Sequence, residues 1–321
     1  MNNILVTGGC GFIGSHVALG LLNKGHNITI LDSNINSSEK IIDRISYLNL
    51  SNNSIAKGKI FFFKGDIRDI DLLEKIFCEN IKKKSPINAV IHLAGLKSVK
   101  NSFDNPLLYW DVNVRGSIAL FNAMIKYGCF NLVFSSSATV YGNPISIPIF
   151  EYFETKPINP YGKSKLEVEN IIKSLYQRQN PEFRAIILRY FNPIGAHSSG
   201  NIGENYNLFS ENIFPKIINV ALGKSKYLKI FGNDWPTYDG TAIRDFIHIM
   251  DLADGHIKAI DYLQKSEPKC LTLNLGTGVK TSLLELISSF ELANSISIPY
   301  KFYKKRMGDT PILLADNTLA G

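Results

Sequence analysis

Two side chains suited to proton transfer stand four residues apart in the segment Tyr161-Gly162-Lys163-Ser164-Lys165. If this segment is helical, Tyr161 and Lys165 lie on the same face of the helix. A phenol ordinarily has a pKa of about 10, and a neighbouring ammonium group favours the phenolate and lowers that pKa. The spacing therefore predicts a tyrosine that acts as a general base at neutral pH.

Hydroxyl side chains that suit the same chemistry occur at Ser135-Ser136-Ser137, where a predicted strand ends. Ligands of parallel sheets bind at the carboxyl ends of the strands, so this position brings the hydroxyls to a ligand. We expect one of the three serines to hydrogen bond a substrate hydroxyl group and to relay its proton.

The first fourteen residues pass directly from a predicted strand into a predicted helix, with glycines at positions 8, 11 and 14. Such glycines make a tight turn, let the backbone approach a pyrophosphate, and pack the helix against the strand. The start of the helix offers N–H groups and a partial positive charge to phosphates. Asp32, at the end of the next strand, suits ribose hydroxyls and repels a 2′-phosphate. These features predict a site for NAD rather than NADP.

The elements that position these groups follow from the hydrophobic pattern, in which β-branched runs alternate with amphipathic stretches. The pattern is typical of βαβ units around a parallel sheet with both faces covered. The expected strands are Asn3–Thr7, Asn27–Leu31, Lys59–Lys64, Ala89–Leu93, Asn131–Ser135, Arg184–Tyr190, Tyr227–Phe231 and Leu271–Leu275. The expected helices are Ile13–Lys24, Glu39–Leu50, Asp69–Lys82, Leu107–Tyr127, Pro160–Tyr176, Phe209–Leu222, Asp251–Gln264 and one opened by a capping box, Ser282-x-x-Glu285.

The predicted fold class is α/β, a Rossmann-type doubly wound parallel sheet with a smaller α/β substrate-binding lobe. Glycine and asparagine become dense beyond residue 192, where the regular alternation ends. We therefore predict an NAD-binding domain over residues 1–192 and a substrate lobe over residues 193–321. The helix near residues 251–264 is expected to return to the first domain.

The composition disfavours several classes of protein. With 45% hydrophobic and 20% charged residues, the 321-residue chain is of ordinary globular type. Basic residues exceed acidic ones by 35 − 28 = 7 but are scattered, so we expect no nucleic-acid partner. The sequence shows no membrane-spanning run and no signal-peptide pattern, and the spacing of its four cysteines fits neither a zinc site nor a disulfide framework. We expect a cytoplasmic protein with no metal site and no membrane partner.

The motif set resembles the extended short-chain dehydrogenase/reductase family, through the glycine-rich start, the Tyr-x-x-x-Lys pair and the serine-tipped strand. Further segments are similar to those of the UDP-glucose 4-epimerases within that family: His92–Lys97, Ser135–Gly142, Pro160–Lys165, Arg189–Pro193 and Gly240–Phe246. The resemblance covers essentially the whole chain. It implies tightly bound NAD as the cofactor, with UDP-galactose and UDP-glucose as the substrates.

The resemblance implies a reversible epimerisation at C4 of the sugar. Tyr161 would take the proton of the 4-hydroxyl group, with Ser137 as relay or hydrogen-bond partner, while hydride passes from C4 to NAD. The 4-keto sugar would rotate before the hydride returns to its other face. Lys165 would hold the nicotinamide ribose and keep Tyr161 acidic. The expected catalytic residues are therefore Tyr161, Lys165 and Ser137.

The resemblance also assigns residues to both ligands and to a partner. Residues expected to contact NAD are Gly8, Gly11, Phe12, Ile13, Gly14, Asp32, Asn36, Asp66, Ile67, Leu93, Ala94, Gly95, Lys97, Asn113, Ser135, Tyr161, Lys165 and Tyr190. Residues expected to contact the UDP-sugar are Lys97, Ser137, Tyr161, Asn192, Asn212, Phe231, Arg244, Arg306, Asp309 and Leu313. The family often dimerises through two helices, so residues 107–127 and 160–176 are the expected homodimer contact.

Two features depart from the family pattern. The chain ends at Gly321, whereas family members continue through another helical segment, so we expect a truncated substrate lobe. Leu313 stands where some members carry a bulky tyrosine and others a small residue associated with N-acetylated sugars. Leucine is intermediate, which leaves activity on UDP-GlcNAc and UDP-GalNAc open. We expect UDP-glucose and UDP-galactose to be the better substrate pair.

Particular residues disfavour three other functions on the same fold. Related 4,6-dehydratases carry an Asp-Glu pair just beyond the serine-tipped strand, where this chain has Ala138-Thr139. A reductase with exchangeable NADPH is disfavoured by Asp32. A non-catalytic NAD-sensing regulator commonly loses the tyrosine or the lysine of the Tyr-x-x-x-Lys pair, and this chain retains both.

Overall fold

The computed structural model describes residues 2–51, 58–178, 182–205, 212–306 and 308–321. Its strands are β1 (Asn3–Thr7), β2 (Asn27–Asp32), β3 (Ile60–Lys64), β4 (Ala89–His92), β5 (Asn131–Ser137), β6 (Arg184–Tyr190), β7 (Asn192–Ile194), β8 (Leu228–Phe231), β9 (Ile243–Arg244), β10 (Phe246–His248), β11 (Cys270–Leu275), β12 (Thr281–Ser282), β13 (Tyr300–Tyr303) and β14 (Ile312–Leu313). Its α-helices are α1 (Phe12–Asn23), α2 (Lys40–Ser51), α3 (Ile70–Lys82), α4 (Val99–Asp104), α5 (Pro106–Tyr109), α6 (Gly116–Lys126), α7 (Pro160–Arg178), α8 (Ile213–Ala221), α9 (Ile249–Lys265) and α10 (Leu283–Asn294).

Seven parallel strands form the central sheet in the order β11-β6-β5-β4-β1-β2-β3. The chain builds outward from β1 in one direction through β2 and β3, and in the other through β4, β5 and β6. The strand order therefore reverses between β1 and β4, and ligands of such sheets bind at the carboxyl ends of the strands at that point. This topology confirms the predicted Rossmann-type α/β fold.

Helices cover both faces of the sheet because its strands are apolar on both sides. Helices α1 and α9 pack on one face, where Val17 and Ile260 join the core. Helices α3, α6 and α7 pack on the other face, where Phe77, Leu120 and Ile172 join a second core. The catalytic candidates on α7 are thus carried by an element whose apolar side is buried against the sheet.

A smaller lobe has its own core, which includes Ile217, Leu228, Ile287 and Ile298. It contains the parallel pair β8–β13, the small sheet β12-β9-β14, and helices α8 and α10. Helix α10 begins with the expected capping box, because the Ser282 hydroxyl accepts from the amide of Glu285 and the Glu285 carboxylate accepts from the amide of Ser282. Between α8 and α10 the chain returns through α9 to the core of the central sheet.

Several element boundaries differ from the predicted ones. The predicted helix Leu107–Tyr127 is divided by a π-helical turn at Trp110–Arg115, which separates α5 from α6. Apolar periodicity continues across this turn, so the pattern does not reveal it. The predicted helix Phe209–Leu222 is described from Ile213 to Ala221, and residues 209–211 lie outside the described part of the chain. Strands of two or three residues, such as β9 and β14, are too short to be recognised from the hydrophobic pattern of the sequence.

Three further features concern the described residues as a group. Their helices include none with the length and apolar character needed to cross a membrane. Their His, Cys, Asp and Glu side chains form no cluster that could hold a metal ion. The four cysteines are all free thiols.

Candidate active site

Tyr161 and Lys165 lie at the amino end of α7, where they face the carboxyl end of β5. Both side chains are buried. Lys165 Nζ donates to the carbonyl oxygen of Ser135 at 2.8 Å, and Tyr161 packs edge-on against Tyr109 with 6.4 Å between ring centroids. Ser137 hydrogen bonds the side chain of Tyr161. The structure thus brings together the three residues that are predicted to be catalytic.

Burial dominates the pKa values of the tyrosine and the lysine. It raises the pKa of Tyr161 to about 12, although the hydrogen bond with Ser137 acts in the opposite direction. Burial also lowers the pKa of Lys165 to about 8, while the carboxylate of Glu169 acts to raise it. In the chain alone, the pKa of Tyr161 is therefore raised, whereas the predicted lowering was expected from Lys165 together with the positively charged ring of bound nicotinamide. The reason is that desolvation of the phenolate outweighs the neighbouring polar groups.

Polar side chains hold the first turns of α7 in place. Asn159 Oδ1 accepts a hydrogen bond from the amide of Gly162 at 2.7 Å. Ser164 Oγ donates to the carbonyl oxygen of Tyr161 at 2.7 Å and accepts from Asn113 Nδ2 at 2.9 Å. The orientation of the candidate base therefore depends on a network of hydrogen bonds around the helix start.

Asn113 lies in the π-helical turn and is buried. Its Oδ1 accepts from the amide of Leu96 at 2.8 Å, and its Nδ2 donates to the carbonyl oxygen of Leu96 at 3.1 Å. A Cβ atom on Gly95 would lie 2.9 Å from Asn113 Oδ1, so the loop after β4 has little room for a side chain there. Asn113 therefore ties the loop after β4 to the start of α7.

The turn between β1 and α1 is shaped for close approach of a phosphate group. Gly8 has a φ of +71°, and a Cβ atom on Gly14 would lie 2.2 Å from the carbonyl oxygen of Gly8. Gly11 is the N-cap of α1 and offers no side chain to the first turn, where Phe12 and Ile13 follow. The amides of such a turn, with the positive end of the helix dipole, suit a pyrophosphate.

A buried carboxylate adjoins this turn at the end of β2. Asp32 Oδ2 accepts from the amide of Cys10 at 2.9 Å. Its Oδ1 accepts from the amide of Asn34 and the hydroxyl of Ser37, each at 2.9 Å. These bonds orient a carboxylate that suits vicinal ribose hydroxyls and opposes a 2′-phosphate. The residues present therefore fit NAD, and they fit it better than NADP.

The other residues expected to contact NAD lie at or just beyond the ends of β2, β3, β4 and β6. Asp66 follows β3 and pairs with Arg68 at 2.7 Å, which keeps the pKa of the Asp66 carboxyl low. Tyr190, at the end of β6, donates to Ser135 Oγ. Asn36 lies in an exposed part of the loop after β2. The remaining ones, after β3 and β4, are Ile67, Leu93, Ala94 and Gly95.

The structure brings together five residues that are predicted to contact the UDP-sugar. The guanidinium of Arg306 lies 4.8 Å from the centre of the Phe231 ring, and its Nε donates to Asp309 Oδ2 at 3.0 Å. Burial lowers the pKa of Arg244 to about 10, which the charge of Asp309 opposes and that of Arg306 reinforces. Leu313 lies beside Arg244 in the pairing of β14 with β9. Two guanidinium groups, an aromatic ring and a carboxylate suit a nucleoside diphosphate.

The remaining substrate candidates lie on three different elements. Asn192 begins β7, where its amide donates to the carbonyl oxygen of Asp245 at 3.0 Å. Asn212 is the N-cap of α8. Lys97, in the loop after β4, forms an ion pair with Glu204 at 3.2 Å, and Glu204 also accepts from Asn212. Glu204 thus connects two predicted ligand-binding residues, although the sequence analysis does not identify it.

A second acidic residue was also missed. Glu169 lies on α7, forms a buried ion pair with Arg189 on β6 at 2.6 Å, and accepts from Ser136 Oγ at 2.5 Å. A signal for it exists in the sequence, because Glu169 follows Tyr161 by eight residues and Lys165 by four. That spacing places all three on one face of the helix.

Comparison with known proteins shows the family of this chain. A model of the NAD dependent epimerase/dehydratase family matches residues 4–276. A UDP-glucose 4-epimerase from Neisseria meningitidis serogroup A is 47% identical over 320 residues, which cover 98% of this chain and 89% of the relative.

Two solved structures superpose closely on this fold. The UDP-glucose-4-epimerase of Stenotrophomonas maltophila, with bound NAD and formylated UDP-arabinopyranose, has a TM-score of 0.92 and 41% identity and covers 100% of this chain and 91% of its own. The UDP-glucose 4-epimerase of Bifidobacterium longum, in complex with NAD+ and UDP, has a TM-score of 0.92 and 39% identity. The match covers 99% of this chain and 91% of the Bifidobacterium chain. The chain therefore belongs to the NAD dependent epimerase/dehydratase family, and within that family it groups with the UDP-glucose 4-epimerases.

Proposed function

We propose that this protein interconverts UDP-galactose and UDP-glucose by inverting C4 of the sugar through a 4-keto intermediate. The observation that carries the proposal is the meeting of Tyr161, Ser137 and Lys165 in one buried site at the carboxyl edge of the sheet. Relatives at 46–47% identity over nearly the whole chain bear the name UDP-glucose 4-epimerase, which supports it.

Tyr161 is the base that takes the proton of the 4-hydroxyl group, and Ser137 relays it. The Ser137 hydroxyl also accepts from the amide and the hydroxyl of Thr139, at 3.2 and 3.0 Å, so it is held next to the tyrosine. Because burial raises the pKa of Tyr161 to about 12, we expect it to act as a base only when a cationic ring lies beside it. Lys165, fixed on Ser135, holds the ribose of the nicotinamide half of the cofactor.

When bound, NAD would supply the acceptor and then the donor for the hydride that leaves C4 and returns to the opposite face of the sugar. The chain contributes the amides of the turn at Gly11 for the pyrophosphate and the carboxylate of Asp32 for the adenosine ribose. Asn113 holds the loop after β4 against α7, which fixes the position of the cofactor relative to the side chain of Tyr161.

The UDP moiety is recognised by the substrate side of the same crevice. Arg244 and Arg306 bind the diphosphate, Phe231 covers the uracil, and Asp309 accepts hydrogen bonds from ribose hydroxyls. Further contacts to the UDP-sugar come from Asn192, Asn212 and Lys97.

Leu313 bears on which sugars the site accepts. It packs beside the cluster that contains Tyr141 and Phe191, next to the turn that follows the serine-tipped strand. We expect UDP-glucose and UDP-galactose to be better substrates than UDP-GlcNAc and UDP-GalNAc, because an acetamido group needs additional space there. Comparing kcat/KM for the two pairs tests this expectation, and a clear preference for the acetylated pair would contradict it.

We also propose a cytoplasmic homodimer that joins through the helices of residues 107–127 and 160–176. These helices expose large apolar side chains, among them Leu107, Trp110, Ile118 and Tyr176, which an apolar interface would cover. Light scattering tests the proposal, and the mass of a single chain would contradict it.

The activity is tested by incubating the purified protein with UDP-galactose and no added cofactor, then measuring UDP-glucose. We expect product from the wild type and almost none from Tyr161→Phe. A control variant is Tyr47→Phe, because Tyr47 is 63% exposed on α2, outside the candidate site and outside the proposed dimer contact. Unimpaired conversion by Tyr161→Phe would refute the assignment of the base.

A further inference from the structure

One guanidinium group connects the segment after β3 to the π-helical turn. Arg68 donates from Nε and Nη2 to the two carboxylate oxygens of Asp66, at 2.8 and 2.7 Å. Its third nitrogen, Nη1, donates to Asp111 Oδ2, 43 residues further along the chain. The three side chains are between 29% and 33% exposed. Arg68 therefore uses all three of its nitrogen atoms to bridge two carboxylates on different elements.

The segment that carries Asp66 adjoins the adenosine end of the cofactor site. The amide of Gly65 donates to the carbonyl oxygen of Asp32, the residue assigned to the adenosine ribose, at 3.0 Å. Ile67, another residue expected to contact NAD, is buried, and a Cβ atom on Gly116 would lie 2.5 Å from its Cγ2 atom. The first residue of α6, directly after the π-helical turn, thus packs on the same segment.

At its other end, the bridge reaches the hydrogen bonds that hold the candidate base. Asp111 lies in the π-helical turn, two residues before Asn113. Asn113 binds the amide of Leu96 and donates to Ser164 Oγ at 2.9 Å, and Ser164 donates to the carbonyl oxygen of Tyr161 at 2.7 Å. A series of hydrogen bonds, with one short stretch of backbone, therefore runs from the adenosine end of the site to Tyr161.

Contiguous networks of packed and hydrogen-bonded groups can carry energetic coupling between separated parts of a protein. We propose that Arg68 is a positioning residue, which fixes the π-helical turn, and with it the orientation of Tyr161, relative to the adenosine half of bound NAD. This inference rests on the proposed function, because it takes Tyr161 to be the base and Asp66 to be a contact of NAD. Arg68 acts through Asp111 and Asn113 rather than on the sugar itself.

The size of the effect follows from the kind of link. Substitutions along such networks change a coupled equilibrium by about 2- to 30-fold. The partial exposure of Arg68 favours the lower part of that range. Arg68→Met removes every side-chain hydrogen bond to Asp66 and Asp111, so we expect kcat at saturating NAD to fall about 3- to 10-fold. KM for UDP-galactose should stay nearly unchanged, because the residues assigned to UDP lie on other elements.

The first measurement is steady-state kinetics of wild type and Arg68→Met with UDP-galactose at saturating NAD. The proteins are compared at concentrations at which light scattering gives both the same mass. The NAD that each purified protein retains is measured after acid release, and Arg68→Met should retain less because Asp66 loses its partner. A control is Lys24→Gln, which breaks an exposed ion pair with Asp261 outside the candidate site and the proposed dimer contact. Its kcat and retained NAD should match those of the wild type.

A double-variant cycle with Asn113→Ala tests the route of the effect. If Arg68 acts through the π-helical turn, Arg68→Met should lower kcat little further once Asn113 is removed, because the two residues then belong to one network. A role in stability alone would lower Tm without changing kcat of the folded protein at saturating NAD.

An unchanged kcat in folded, NAD-saturated Arg68→Met would therefore overturn the inference. The same fold-loss of kcat with and without Asn113 would overturn it as well, since the effect would then not pass through the π-helical turn. An inactive wild type would instead refute the proposed function.

Discussion

Replacing Arg189 with methionine should destabilise the protein strongly, because the carboxylate of Glu169 would remain buried without its guanidinium partner. The side chains of Arg189 and Glu169 are 2% and 0% exposed, and two N–H···O bonds of 2.9 and 2.6 Å join them. Arg189 also donates to the hydroxyl of Tyr141 at 2.9 Å, and Ser136 donates to Glu169. The pair therefore connects β6 to the catalytic helix, one turn beyond Lys165.

The magnitude follows from the cost of an uncompensated buried charge. Removing one partner of such a pair costs about 3–5 kcal/mol. With an average unfolding entropy of about 2.1 cal/mol/K per residue, a chain of 321 residues loses about 1.5 °C in Tm per kcal/mol. Arg189→Met should therefore lower Tm by about 4–7 °C. Lys173 lies 3.6 Å from Glu169 but is 41% exposed, so it replaces the guanidinium only weakly.

The double variant Arg189→Met/Glu169→Leu distinguishes a paired charge from two independent contacts. It removes both charges, and Tyr141 keeps its hydrogen bond to Asn274 at 2.7 Å. The hydroxyl of Ser136 loses its acceptor and the carbonyl oxygen of Glu151 loses a donor, but no buried charge is left unpaired. The double variant should therefore cost about 1–3 kcal/mol, less than the single Arg189→Met.

Thermal and urea unfolding of both variants measure these costs. Glu154→Gln, which breaks an exposed ion pair with Lys156, is the control and should change stability by less than about 1 kcal/mol. A double variant whose cost equals the sum of both single variants would refute the reasoning.

Three further predictions follow from the same structure. Gly14→Ala should abolish retention of NAD, seen as loss of bound nucleotide from the purified protein, because the new Cβ would lie 2.2 Å from the carbonyl oxygen of Gly8. Burial lowers the pKa of His92 to about 3, whereas an unfolded histidine titrates near 6.5, so only the unfolded chain gains this proton as the pH falls. The contribution of His92 to stability, present above about pH 6.5, should therefore fall by about 2 kcal/mol near pH 5. Urea unfolding of wild type and His92→Gln measures it, and an equal pH dependence in both would contradict it. Asn113→Ala frees Leu96 and should reduce kcat about 100-fold with a smaller change in KM, and steady-state kinetics with an unchanged kcat would contradict this.

Much of the fold could be predicted because it depends on local patterns. Apolar strands alternate with amphipathic helices, and each such element has to bury its apolar side, so the pattern predicts a covered parallel sheet. The capping box at Ser282 and the glycine-rich turn are equally local, since each involves residues only a few positions apart. The π-helical turn in the middle of residues 107–127 was missed, because one additional residue per turn leaves the apolar pattern nearly unchanged.

The site was predictable to the extent that its chemistry depends on residue type. Tyr161, Lys165 and the serines could be identified because few side chains transfer protons at a carbon bearing a hydroxyl group. The raised pKa of Tyr161 in the chain alone could not be predicted from the sequence, because that shift depends on how deeply the phenol is buried. Burial depends on packing between α7, β5 and Tyr109, which are distant in sequence.

By itself, then, the sequence determined the order of the elements, the glycine-rich turn with Asp32, and the residue types available for acid–base chemistry. Only the tertiary structure decided which charged groups meet. Glu204 reaches Lys97 across 107 residues, and Glu169 reaches Arg189 across 20. The physical reason is that ion pairs and pKa shifts depend on distances and desolvation in three dimensions, whereas periodicity reports only on neighbours along the chain.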